Sequence, residues 1–163
     1  MLSESVSKPN KKDFKESTDW ISCWVLPKKI GWPVLILLVF FDAFITIQAG
    51  GESNPLWRPL VEKFGLNFLW AAALIVLAIF FAATKIFGRI VEKTEHFSRG
   101  EEFILTNLVI VFATYDLYIA FLVPRIGYLG TSTHYAIIPV LFIPILAYNV
   151  FVELQKRKSL KQI

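Results

Sequence analysis

At 163 residues, 55% of them hydrophobic, with a mean hydropathy of +0.56, the chain has little material left for a soluble domain once its apolar segments are removed. The natural reading is one small helical membrane domain, an all-α four-helix bundle. The net charge of +4 follows from membrane topology, as shown below, and is poor evidence for nucleic-acid binding; no nucleic-acid partner is expected.

Residues 1–15 are polar and mixed in charge, a composition expected to be disordered in isolation. Trp20 and Trp24 follow at helical spacing, which predicts a short interfacial helix over residues 19–26 lying at the lipid headgroups. Cys23 is the single cysteine, so the chain alone can form neither an internal disulfide nor a cysteine-based zinc site. Residues 1–30 are read as a basic tail, residues 31–153 as the membrane domain and residues 154–163 as a second basic tail.

Apolar runs of spanning length occupy residues 34–49, 66–87, 103–123 and 134–152. The first is read as a retained span rather than a cleaved leader, because a charged 30-residue segment precedes it. The first connection carries Gly50 and Gly51 for a sharp exit, Asn54-Pro55 for a turn and Trp57 for the lipid interface. In the second span Ala71, Ala72, Ala73, Ala78, Ala82 and Ala83 are small residues suited to close helix approach. The next connection ends in Ser98-Arg99-Gly100-Glu101, the spacing of a capping box at the start of the third span. Pro139 and Pro144 each remove a backbone donor from the fourth and are expected to bend it.

Lysine and arginine divide sharply across these spans. Fourteen fall in the first 30 residues, the 85–99 segment and the tail from Lys156, whereas Arg58, Lys63 and Arg125 are the three on the other side. The asymmetry predicts a multi-pass protein of the cell membrane with both termini cytoplasmic, attracted by its basic segments to an anionic inner leaflet.

Acids inside the spans are the residues with chemical potential. Asp42 lies eight residues before Gly50 and Asp116 eight before Pro124, so both carboxyl groups should sit roughly 12 Å below the outer ends of parallel helices. An intramembrane acid requires pairing or neutralisation. Thr46 shares the face of Asp42, and Tyr115 adjoins Asp116. Asn107, Thr114 and Tyr118 form a stripe turned away from Asp116, so the two facets should not both enter one narrow core, and one of them is expected to face another subunit. Glu52, Asn54, Arg58, Arg125 and His134 form a candidate outer-side group that could converge with the aspartates.

Asp42, Asp116, Glu52 and His134 are donor types suited to a metal, yet no close ligand pair such as His-x3-His occurs; no cofactor is required by the sequence. Paired intramembrane aspartates also raise proteolysis through an acid-base pair. Tyr115-Asp116 matches half of the presenilin-like pattern, but the Gly-x-Gly-Asp half is missing, as are the asparagine and aspartate motifs of lipoprotein signal peptidases.

Asp42, Thr46, Gly50, Glu52, Asn54, Pro55 and Leu56 together resemble the signature of a family of small, uncharacterised prokaryotic multi-span proteins, familiar especially among archaea. In that family an aspartate and a threonine on the first span precede a Gly-x-Glu-x-Asn-Pro turn. The resemblance covers residues 34–60 and implies one structural or ligand-binding unit without implying an activity.

The leading functional expectation is a non-catalytic accessory subunit packed in the bilayer against other membrane subunits. The alternative is a small cation- or proton-coupled transporter or ligand-binding membrane protein that uses Asp42 and Asp116.

Overall fold

Apolar runs in hydrocarbon must satisfy their backbone groups internally, and helices do so within a single segment. The computed structural model describes residues 24–51, 54, 57–95, 99–126 and 137–160. They form α1 (Lys28–Gln48), α2 (Arg58–Phe64), α3 (Phe68–Glu95), α4 (Gly100–Leu117), a π-helical turn (Tyr118–Leu122) leading into α5 (Val123–Ile126), and α6 (Ile137–Leu160). No strand occurs among the described residues. Four helices are long and apolar enough to cross a membrane: α1, α3, α4 with its π-helical extension, and α6. At 21 residues, even α1 is about 32 Å long, enough for a bilayer core of about 30 Å. The chain is an all-α four-helix bundle of multi-pass membrane type.

Each spanning helix outruns its predicted apolar segment at the end where the basic residues gather. α1 begins at Lys28, α3 runs to Glu95, α4 begins at Gly100 and α6 continues to Leu160. Polarity does not stop a helix, so most of the expected 154–163 tail is the last turns of α6. Residues 24–27 form a turn rather than the end of an interfacial helix; Trp20 and Cys23 lie outside the described residues. Trp24 packs edge-on against Phe151 at 4.7 Å, and Val25 is buried with Val152. The Tyr148 hydroxyl donates to the Trp24 carbonyl at 3.1 Å, and the Leu26 N–H donates to Thr106 Oγ1 at 2.8 Å. This turn is strapped to α4 and α6.

Helix α4 is central, packing against α1, α3 and α6. Gly31, Leu35, Val39 and Ala43 recur every four residues as the buried stripe of α1, and Leu35 and Leu105 are fully buried in the core they share. On the α6 side, the Asn149 amide donates to Asn107 Oδ1 at 2.8 Å, a polar tie suited to hydrocarbon. Asp116 on one facet and Tyr118 on the other are both buried, while Asn107 and Thr114 of the Tyr118 stripe are half-buried, so both facets of this helix carry buried residues.

Charged residues tie the basic end together. Glu101 meets Lys28 Nζ at 2.6 Å and Lys85 Nζ at 2.9 Å, joining α1, α3 and α4, while Lys156 pairs with Glu95 to hold α6 to α3. Because Glu101 serves the lysines, it does not close a capping box. Ser98 lies outside the described residues, Arg99 is the N-cap without a side-chain cap bond, and the Gly100 N–H is satisfied by Glu92 Oε1 at 3.2 Å. Glu101→Gln is expected to cost about 1–2 kcal/mol, between an exposed and a buried ion pair. Thermal unfolding in detergent reads this, and Glu153→Gln, which removes an exposed pair with Arg157, should leave the melting midpoint unchanged.

The closest helix approach uses glycine rather than alanine. Gly88 and Gly100 cross with their backbones in contact, whereas Ala71, Ala78 and Ala82 are exposed and only Ala72 and Ala73 of the alanine set are buried. Pro139 sits in the first turn of α6, where no intrahelical donor is needed, so Pro144 is the proline inside that helix.

Candidate functional site

Register along the parallel pair α1 and α4 brings the two intramembrane acids together. The Lys28 N–H reaches Glu102 Oε1 across a sequence separation of 74, and Gly31 packs on Leu105 at the same separation. Carried along both helices at equal rise, that offset sets Asp42 level with Asp116. The two carboxyl groups lie within electrostatic range of one another.

Their surroundings differ. Asp42 lines a cavity of about 430 Å³ between α1, α3 and α4, with the segment before α2 and Leu141 of α6 also on its wall, together with Thr46, Asn54, Trp57 and Tyr115. Asp116 is 3% exposed, neither of its oxygens has a hydrogen-bond partner, and it is not among the cavity-lining residues. It therefore lies near the cavity without facing it. Two residues on, the Tyr118 hydroxyl at the start of the π-helical turn is also buried without a partner.

Local folding explains how the polar wall forms. Thr46 is one helical turn after Asp42 and donates its hydroxyl to the Asp42 carbonyl at 3.0 Å, which keeps it on the same face. Gly50 takes φ of +75° at the exit of α1, a conformation that glycine adopts without strain. The Asn54 carbonyl then accepts the N–H groups of Trp57 and Arg58 at 3.1 and 2.9 Å, a turn that starts α2 and brings Asn54 and Trp57 to the cavity. Phe80 of α3 and Phe112 of α4 meet edge-on at 5.3 Å and line the same space.

Of the predicted site residues, Asp42, Thr46, Tyr115 and Asn54 meet at this cavity and Asp116 lies close to it. Arg58 does not line it; its guanidinium pairs with Glu62 at 2.8 Å on an exposed face. Arg125 is exposed on α5 and does not line it either. Glu52 and His134 lie outside the described residues, and among the described ones no three histidine, cysteine, aspartate or glutamate side chains gather as a cation-ligating group. Trp57, expected at the lipid interface, lines the cavity; Phe80 and Phe112 carry no sequence signal separating them from the chain's other phenylalanines. Aspartyl chemistry needs two carboxyl groups facing one water, and of Asp42 and Asp116 only Asp42 lines this cavity.

Compared with protein-family models, with curated proteins and with solved structures, the chain matches none.

Proposed function

We propose that this is a small ligand-binding or transport protein of the cell membrane, taking its ligand in the Asp42 cavity. The observation carrying this reading is convergence: three members of the signature segment, Asp42, Thr46 and Asn54, meet Tyr115 at a single cavity. Its volume is within the range of small-molecule sites, and its few polar groups on an apolar wall are the usual composition of one. The crowding of Lys28, Lys85, Glu101 and the α6 terminus at one end supports the topology in which basic residues face the cytoplasm with both termini.

A second reading, an accessory subunit of a larger membrane complex, draws on α6. Only 6% of its spanning window is buried, against 22% in α1 and α3 and 28% in α4, so much of it is left for lipid or another chain.

Mild-detergent extraction from native membranes followed by native mass spectrometry tests both. A monomer or homo-oligomer should carry a non-covalent small molecule. In Val76→Trp, which fills the cavity, occupancy should fall about tenfold or more, equivalent to at least 1.4 kcal/mol, in protein that still melts cooperatively. An empty protein that no compound protects against unfolding would overturn the ligand-binding reading. A stoichiometric assembly with other chains would establish the second.

A further inference from the structure

We infer that the ligand of the Asp42 cavity is a single-chain amphiphile drawn from the bilayer itself, with its hydrogen-bonding head beside Thr46 and Asn54 and its hydrocarbon chain running toward Ile79; this rests on the ligand-binding reading above. The first argument is the distribution of polarity along the cavity. Among the described residues its polar lining is Asp42 and Thr46 near the C-terminal end of α1, Asn54 and Trp57 in the connection that follows, and Tyr115 of α4. The offset of 74 residues between α1 and α4 sets Tyr115 level with Phe41, beside Asp42. All five lie toward the end of the bundle remote from the Lys28, Lys85 and Glu101 cluster. Deeper in the span the wall is Val39, Val76, Ile79, Phe80, Val111 and Phe112, with no polar side chain among them. Polarity falls along the bilayer normal, as it does along a lipid.

The second argument is access. Ile79 is 57% exposed and also lines the cavity, so the cavity reaches the lipid-facing side of the bundle. Measured along α3 from Phe68, Ile79 is about 16 Å in, close to the middle of a hydrocarbon core of about 30 Å. At that depth the surrounding medium is lipid chains, and a chain entering there needs no passage from water. The third argument is the state of the polar wall. Asp42, Asn54 and Tyr115 are each already engaged by other groups, and the Thr46 hydroxyl donates to the Asp42 carbonyl. What such groups still offer is a further hydrogen bond through their remaining lone pairs and N–H groups, which suits a hydroxyl, ester or carbonyl head rather than a second charge.

Photolabelling of the full chain in phosphatidylcholine vesicles tests this, with a monoacylglycerol carrying a mid-chain diazirine as the probe and the labelled sites mapped by mass spectrometry. Labelling of Phe80 on the cavity wall is expected to saturate and to fall about tenfold or more under excess unlabelled monoacylglycerol. Labelling of Leu74, 60% exposed on α3 and outside the cavity, reports bulk lipid and should not saturate. Competition by a prenyl quinone identifies the source of the chain: if the quinone displaces the probe more strongly than monoacylglycerol does, the natural ligand is a prenyl lipid, and if less strongly, an acyl lipid. Val76→Trp should abolish the saturable labelling of Phe80 and leave Leu74 unchanged, in protein that still melts cooperatively. If that variant does not fold, Ile79→Trp at the exposed mouth is read instead and should cut Phe80 labelling severalfold. Phe80 labelling that does not saturate, or that is indifferent to the substitution read, would overturn the inference. If native mass spectrometry then finds a water-soluble molecule removed by Val76→Trp, the lipid assignment fails alone and the cavity function stands. If it finds no small molecule, both fail.

Discussion

Replacing Gly100 with alanine is expected to prevent α3 from packing on α4. A methyl carbon added there would lie 2.2 Å from the Gly88 carbonyl oxygen, and one added at Gly88 would lie 2.8 Å from the backbone N and Cα of Glu101. Both obstacles are backbone, so no rotamer change relieves them. The helices must separate, which also pulls Glu101 away from Lys85 and Glu92 away from the Gly100 N–H. Overpacking in a protein core usually costs about 1–3 kcal/mol, and the displacement of two backbones places Gly100→Ala and Gly88→Ala at or above the top of that range. Gly31→Ala should cost less, because the two closest obstacles to the added methyl are Leu105 side-chain atoms at 2.6 and 2.9 Å, and Gly51→Ala, with nothing within 4 Å, should be neutral. Size-exclusion profiles and melting midpoints in detergent rank the four; a Gly100→Ala protein that melts like the native one would refute the crossing.

Asp116→Val is expected to stabilise the protein. The native side chain is buried with two oxygens lacking hydrogen-bond partners, and an unsatisfied buried polar group costs about 1–3 kcal/mol in neutral form and more when charged. Valine is apolar and of similar size, so the substitution removes that cost without opening a large cavity. A higher melting midpoint in the same detergent is the expected result, and a marked fall would mean that the carboxyl group makes a stabilising contact. Occupancy of the Asp42 cavity, read by native mass spectrometry on the same variant, adds a functional readout. Weaker binding beside higher stability would identify Asp116 as an acid kept for its field at the Asp42 cavity, the trade expected of a functional group held in a strained environment.

Much of the architecture was legible from local composition, while the site was legible only in part. Asp42, Thr46 and Asn54 stood out because a carboxyl group in lipid demands an explanation and because Asn-Pro after paired glycines marks a turn. Phe80 and Phe112 did not stand out, since an aromatic residue in a hydrocarbon-spanning helix is equally at home facing lipid or a cavity. The same ambiguity misdirected the alanine argument: Ala71, Ala78 and Ala82 face outward, and the tight crossing belongs to Gly88 and Gly100, at the edge of the charged connection. That both facets of α4 carry buried residues was not legible, because its central position, with α1, α3 and α6 around it, has no local signature.

The amino-acid order by itself determined the four spans, their alternating direction and the gathering of basic residues at one end. These follow from segment length, from hydrophobicity and from the need of each backbone to satisfy its own hydrogen bonds in lipid. Only the tertiary structure decided that α4 is central, that Asp42 and Asp116 come within electrostatic range of one another, and that Thr46, Asn54, Trp57, Phe80, Phe112 and Tyr115 line one cavity. In water an apolar stripe marks the buried face of a helix, but in a membrane every face is apolar and helix rotation is set by packing among distant residues.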